Sequence, residues 1–290
     1  QNPALPPYQG PSGVGPAHLK VQNLTVHALG GVASVNGQVV WRSEPEWAFA
    51  AHATGINPGS LWPAVPGKLD MAAGFQGRIN AGKPSVQMDD LRISGRMLGQ
   101  ALEATGDFSF SDDRLVCDNL AVRLGNNRFG LSGSVGKHLD VKFDGEAHDP
   151  SPLWPGTQGD VRANGTLWGP FSNPAATVSL EGRNLRYYGC TVQSLRADLV
   201  IDTTHTQRSE GRLKLLDLRA DDTFSPTLSL DWTGDFKAHS VSAEVVSPSV
   251  NTRIGLSGSS QQDRWEVAVH QASFDVNPHG RWHLLAPLDL

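Results

Sequence analysis

Helical amphipathicity is what this sequence most lacks: no stretch keeps a 3.6-residue apolar period long enough to give a helix that could cover a sheet. Aromatic residues are only 7% of the chain and charged residues only 18%. The two cysteines, Cys117 and Cys190, are too few for a disulfide framework, and the sequence leaves open whether they pair or stay free thiols. Within these residues no run approaches the ~20 apolar positions of a membrane-spanning helix. A formal net charge of −5 and a pI near 6.0 give no basic footprint for nucleic acid or for an anionic membrane surface. Partners of those two kinds are not expected from overall charge.

What the chain has instead is glycine, proline and alternation. Its 290 residues include 31 glycines and 19 prolines, the punctuation of short strands joined by tight turns. From Leu115 to Gly189 apolar and polar residues alternate with a period of two, which puts one set of side chains on each face of a strand. Leu139, Val141 and Phe143 oppose Asp140, Lys142 and Asp144; Val178 and Leu180 oppose Thr177, Ser179 and Glu181. Further on, Leu195 to Ile201, Leu228 to Trp232, Val241 to Val245, Trp265 to Val269 and Trp282 to Leu284 behave alike. Met97 to Ala104 has fair helix propensity, but Leu102, Ala104, Gly106, Phe108 and Phe110 hold the two-residue period and argue for strand. Asn-Gly, Gly and Pro are expected at the turns between these runs.

Residues 1–17 are rich in Pro and Gly and read as a flexible lead-in; residues 18–290 read as one continuous β segment. The chain starts on Gln and stops in an apolar run at Leu290, as expected for a piece of a longer protein. Within it, a Leu-Trp-Pro corner occurs twice, at Leu61-Trp62-Pro63 and Leu153-Trp154-Pro155, each six residues before its glycine, Gly67 or Gly159. Gly130-Leu-Ser-Gly-Ser134 is echoed by Gly255-Leu-Ser-Gly-Ser259. The repeats suggest two loose modules, about 18–145 and 146–290.

Without helices to cover them, the apolar faces must meet one another in a sandwich, a barrel or a sheet curled on itself. The inward positions are mainly Val, Leu, Ala and Gly, which leave room for a long antiparallel sheet curled around an apolar groove. Its lining would comprise Leu131, Val135, Leu139, Val141, Phe143, Val161, Val178, Leu180, Leu195, Leu199, Ile201, Leu228, Leu230, Val267 and Val269. The two corner tryptophans are expected to cap the trough rather than to contact a ligand. Periodicity alone equally allows a fully packed sandwich.

Candidate chemistry is thin. His279 and His283 are spaced H-x-x-x-H, with His270 nearby, but no helix is expected there and Pro278 and Trp282 intervene, so a solvated face is the better reading than zinc. The Asp-Asp pairs at 89–90, 112–113 and 221–222 would point to opposite strand faces and read as turn residues, not paired acid and base. Gly130-Leu-Ser-Gly and Gly255-Leu-Ser-Gly lack the Gly-x-Ser-x-Gly order of a nucleophile elbow. Asn164-Gly165-Thr166 fits a glycosylation acceptor in form only. No catalytic residue, metal or cofactor is expected.

The order of elements carries a resemblance. NRFGLSGSVG, HLDVKFDGEA, the P-x-L-W-P corner, GDVRANGTLWGPFSNPAATVSLEGRNL and a strand from Leu195 follow one another, and Trp232-Thr-Gly-Asp-Phe-Lys-Ala-His239 and Asp263-Arg-Trp265 come later. In this order the chain resembles the TamB family, inner-membrane components of the translocation and assembly module within the AsmA-like superfamily. The resemblance implies an internal segment of a long β-groove, held to the inner membrane through a missing N-terminal anchor and crossing the periplasm of a Gram-negative-type envelope. It implies phospholipid or another acyl-chain ligand, and a TamA-like outer-membrane partner met through a missing C-terminal region. The rival expectations are a holdase for outer-membrane barrel strands, a structural β-spacer, and a surface adhesin or carbohydrate-binding module.

Overall fold

The computed structural model describes residues 17–41, 43–203, 209–220, 226–235, 237–261 and 264–289. The expected lead-in therefore lies outside the described residues except Ala17, which already opens the first strand, and Asp221-Asp222 lies outside them too. Strands β1 (Ala17–Ala28), β2 (Gly31–Trp41), β3 (Pro45–Ile56), β4 (Gly67–Asn80), β5 (Lys83–Met97) and β6 (Gln100–Ser111) come first. Next are β7 (Arg114–Leu124), β8 (Asn127–Val135), β9 (His138–Ala147), β10 (Thr157–Pro170), β11 (Ala175–Tyr187) and β12 (Cys190–Asp202). The last are β13 (Glu210–Ala220), β14 (Thr227–Gly234), β15 (Ala238–Val246), β16 (Val250–Gln261), β17 (Arg264–Val276), β18 (Gly280–His283) and β19 (Leu288–Asp289). A single 3₁₀ turn at Pro58–Ser60 is the one helical element among the described residues.

Every strand from β1 to β17 pairs antiparallel with its neighbours in sequence, and β18 and β19 both add to the far edge of β17. The result is one 19-stranded sheet, curled but not closed. At about 4.8 Å per strand it extends for roughly 80 Å. It passes residues 145 and 146 without interruption, inside β9. The two-sheet sandwich is not what the chain forms.

Many turns are minimal. Leu98-Gly99 and Asp112-Asp113, all at positive φ, close hairpins in the conformation that matches strand twist. Turns that follow odd-numbered strands lie along one long rim of the sheet and those that follow even-numbered strands along the other.

Two sequence expectations about turns need correction. Asn164-Gly165 sits in the middle of β10, as Asn36-Gly37 does in β2, so neither Asn-Gly is a turn. Asp89-Asp90 is also inside a strand: Asp90 has φ +54°, and the pairing of β5 with β6 jumps from Met88 to Leu91. This is a β-bulge, and the Asp90 N–H is satisfied by Asp107 Oδ1 at 2.9 Å. Register shifts occur in line across β3, β4, β5, β6 and β7. Bulges bend and twist the strands that carry them, which helps to curl a sheet.

The tightest packing is along the rim after odd strands, where Leu69, Leu102 and Leu124 form a buried cluster with Ile93, Met97 and Val122 against it. Next to it Asn127, 1% exposed, donates from Nδ2 to Asp149 O at 2.7 Å and accepts from Asp149 N at 3.1 Å. It thereby ties the β7–β8 hairpin to the second corner. Asn127→Ala should strand both backbone groups of Asp149 and cost about 1–3 kcal/mol; urea unfolding with a matched m-value checks it, and an unchanged midpoint would show the bridge to be dispensable.

Candidate functional site

Residues directly opposite in an antiparallel register share a face, so the pairing decides which side chains lie together. Val135 faces Leu139 and Leu131 faces Phe143; Val141 faces Leu167, and Ala147 faces Val161. Val178 faces Leu199, Gly182 faces Leu195 and Ala176 faces Ile201. Leu213 and Leu215 link this set to Leu230 and Leu228, and Leu256 and Gly258 link it to Val269 and Val267. All the residues named from the sequence as candidate lining occupy one face. That face also extends where the sequence reading named no lining, through Leu102 and Ile93 on β6 and β5, Met71 on β4, Val35 on β2 and Leu24 on β1.

The face is not covered by a second layer. Leu131 is 38% exposed, Val135 39% and Ile201 36%, although each lies among apolar neighbours. A concavity of about 330 Å³ occupies it across β7 to β10, lined by Leu120, Val122, Phe129, Leu131, Phe143, Ala147, Val161 and Ala163 among others. A larger hollow of about 450 Å³ around Gln38, Glu46, Gln76, Arg78 and Gln87 is polar and sits where β2 to β5 turn their other face outward. Desolvating an acyl chain favours the smaller, apolar one.

The wall is more aromatic than the sequence implied. Phe49 lies opposite Gly37, Trp47 opposite Gly77, Phe143 opposite Gly165, Phe129 opposite Gly145 and Trp232 opposite Gly211. In each pair the ring covers its glycine: a Cβ on Gly77 would lie 2.4 Å from Trp47 Cζ2, and one on Gly165 2.6 Å from Phe143 Cζ. Each ring thereby occupies the space that a side chain on its glycine would need. Sequence reasoning missed these pairs because they only exist once the register is known.

The opposite face is charged in alternation. Arg128, Glu146, Arg162, Glu181 and Arg196 follow one another in a single cross-strand row, with Arg162 Nε 3.2 Å from Glu146 Oε1. Exposed pairs of this kind contribute about 0–1 kcal/mol each, and they disfavour a slip that would bring like charges together.

The two corners share their internal hydrogen bonds. Pro58 O accepts from both Leu61 N and Trp62 N at 2.9 Å; Pro150 O accepts from Leu153 N at 3.0 Å and Trp154 N at 2.8 Å. Asn57 Oδ1 accepts from Gly59 N and Asp149 Oδ1 from Ser151 N, and Trp62 O and Trp154 O accept from Val65 N and Thr157 N. The tryptophans do not cap the trough, however: Trp62 is 64% and Trp154 68% exposed. Proline at the turn start and the Asx side chain fix the loop, leaving the indoles outside it.

Elsewhere the residue constellations stay dispersed. His270 Nε2 meets Ser257 Oγ at 2.5 Å, while His279 lies between β17 and β18 and His283 ends β18. Among the described residues no group of three His, Cys, Asp or Glu side chains comes together to hold a metal. Cys117 and Cys190 are both free. Cys117 lies on the apolar face, where burial first and the Asp118 carboxylate second push its thiol pKa up and keep it protonated.

An open single-layer sheet with one apolar face and one charged face, repeated along its length, defines a β-groove protein. The model of the family described as "TamB, N-terminal domain" matches residues 14–290, and the chain belongs to that family. It is 20% identical over 267 residues to the Translocation and assembly module subunit TamB of Haemophilus influenzae, an alignment covering 89% of this chain. The chain spans about a fifth of the length of that curated relative. No solved structure matches it.

The glycine pairs can be tested in isolation. A Cβ on Gly165 would also stand 2.3 Å from Thr177 O, whereas one on Gly74 meets nothing nearer than Asp89 O at 3.7 Å. Gly165→Ala should therefore cost about 1–3 kcal/mol and Gly74→Ala no more than about 0.5 kcal/mol, read from urea midpoints. Equal midpoints for the two would mean that Phe143 does not need a bare backbone beneath it.

Proposed function

We propose that this chain is a segment of a lipid conduit, in which an apolar β-groove shields phospholipid acyl chains from water. The observation that supports the proposal is the apolar face that runs from β1 to β17 without a covering layer; in this reading the residues named above, which share that face, form its lining. Each methylene transferred from water to such a wall gains about 0.8 kcal/mol. A face without charged side chains has no point at which a chain would be held by its headgroup, so the acyl chains can slide from strand to strand. No catalytic chemistry is assigned to it.

In this reading the chain belongs to an inner-membrane-anchored protein that crosses the periplasm and works in a translocation and assembly module with a TamA-like outer-membrane protein. Family membership and the name of the Haemophilus relative support that setting. The same name, together with β1, which pairs on one side only among the described residues, favours a second reading in which the sheet edge and apolar face hold nascent barrel strands.

Photo-crosslinking distinguishes the two. A photoreactive residue at Leu131 or Leu199 should give phospholipid adducts in the purified chain; adducts to unfolded barrel protein alone would favour the holdase. Leu131→Arg and Leu199→Arg should abolish lipid adducts at neighbouring positions while leaving the melting temperature nearly unchanged, because an arginine on an open wall can reach water. Val141, only 7% exposed, should behave differently. Val141→Arg should destabilise by several kcal/mol, as expected for a charge without a partner. Loss of folding in all three would contradict an open groove.

A further inference from the structure

Many connections in this sheet need only two residues, as at Leu29-Gly30, Leu98-Gly99 and Tyr188-Gly189. The corners between β3 and β4 and between β9 and β10 are far longer, so turning the chain does not explain them. Both are built by the same hydrogen bonds, and both present a Leu-Trp pair to solvent. Both follow odd-numbered strands and hence stand on the same long rim, six strands or about 29 Å apart. The next turn along that rim after the second corner adds Tyr187 and Tyr188. Their rings meet edge to face at 4.6 Å, and Tyr188, 77% exposed, lies against Gly156 of the corner. On the opposite rim the strongly exposed aromatic among the described residues is Phe171.

Tryptophan and tyrosine have an apolar body and a polar tip, the chemistry suited to the boundary between headgroups and acyl chains. Single anchors strung along a line of this length match a plane better than the compact, water-excluding patch of a protein hot spot. The charges nearby are mixed. The carboxylates are held in place: Asp160 meets His148 at 2.6 Å, Asp70 accepts from Gly55 N at 2.9 Å, Asp149 accepts from Ser151, and Asp217 pairs with Arg219 at 2.9 Å. Lys68, Arg183 and Arg186, close behind the rim, have no acidic partner among the described residues. Net charge over the whole chain hides this local arrangement. The second corner also adjoins the apolar concavity, since Ala147, the last residue of β9, lines it together with Val161, its cross-strand partner on β10.

We propose that this rim is a bilayer-contacting edge, with Trp62, Trp154 and Tyr188 seated in the interface of a phospholipid membrane so that lipids enter the groove from the side. The entry step rests on the conduit reading; the membrane contact does not. The test is co-flotation of the 290-residue chain with vesicles of equimolar phosphatidylethanolamine and phosphatidylglycerol. The chain should float, and its tryptophan fluorescence should be quenched by lipids brominated near the headgroup. A Trp62→Ser, Trp154→Ser, Tyr188→Ser triple variant should lose at least about tenfold in vesicle affinity with an unchanged β-sheet circular dichroism spectrum, because all three side chains are exposed. Phe171→Ser should float as before. Lys68→Gln, Arg183→Gln, Arg186→Gln should weaken flotation, and less so when phosphatidylcholine replaces phosphatidylglycerol. Failure of the parent chain to float, or a triple variant that floats equally well, overturns the proposal. Adducts at Leu131 from monomeric short-chain phospholipid report on the groove independently. Adducts without rim-dependent flotation would leave the conduit standing and remove the edge; flotation without adducts would do the reverse.

Discussion

Register is the constraint on which everything else in this molecule depends. Each strand is joined to its sequence neighbour by a backbone ladder, and a slip of one residue anywhere would move an apolar set to the charged face. In a two-layer protein the opposing layer would resist such a slip by packing. Here one layer must specify itself. Short turns at positive φ, the charge row from Arg128 to Arg196 and bulges aligned across β3 to β7 supply the specification from three sides. The bulges show how exacting it is. In β7 the inward residues Cys117 and Leu120 are three apart, and in β5 Met88 and Leu91 likewise, yet all remain on the same face because β6 between them keeps its own step.

An open apolar face has a cost that a sandwich avoids. Side chains such as Leu131 and Ile201 retain over a third of their accessible surface, forgoing part of the 1.5–3 kcal/mol or so that full burial would contribute. The fold limits this loss in two ways. Neighbouring side chains on adjacent strands bury one another laterally, most completely around Leu69, Leu102 and Leu124. Rings are laid on glycines, where a tall side chain would otherwise stand alone in water. A face left with unburied apolar area after both devices is suited to an apolar ligand, which can cover what the protein does not.

Much of this was legible before any coordinates. The two-residue period gave the strands and their apolar sides, because facing in a β-strand is set by parity alone. The ambiguous stretch from Met97 to Ala104 resolves as the end of β5, a Leu98-Gly99 turn and the start of β6, as its alternation implied over its helix propensity. Turn chemistry was less legible. Asn164-Gly165 and Asp89-Asp90 carry the local signals of a turn, but tertiary pairing holds the first in a strand beneath Phe143 and the second in a bulge. Aromatic placement was not legible at all: seven per cent aromatics looked like a wall of Val, Leu and Ala. Only cross-strand register reveals that Trp47, Phe49, Phe129, Phe143 and Trp232 all belong to it.

The two corners recur in space as well as in sequence. The first joins β3 to β4 and the second joins β9 to β10, six strands further along the same rim. The hydrogen bonds of the corner recur while the wall beside it changes: Phe143 and Gly165 at the second corner occupy the register positions of Ala51 and Ala73 at the first. A corner kept between two copies whose walls differ is hard to attribute to the turn, because two-residue hairpins close the same rim on either side. It is equally hard to attribute to stability, because the Leu-Trp pairs are left largely in water. A feature that neither the chain path nor the packing requires, built twice at the same place relative to an apolar wall, points outward to whatever the rim meets. A ligand surface that is itself extended along the groove would meet both copies at once, and the spacing of the corners then becomes a length along that surface.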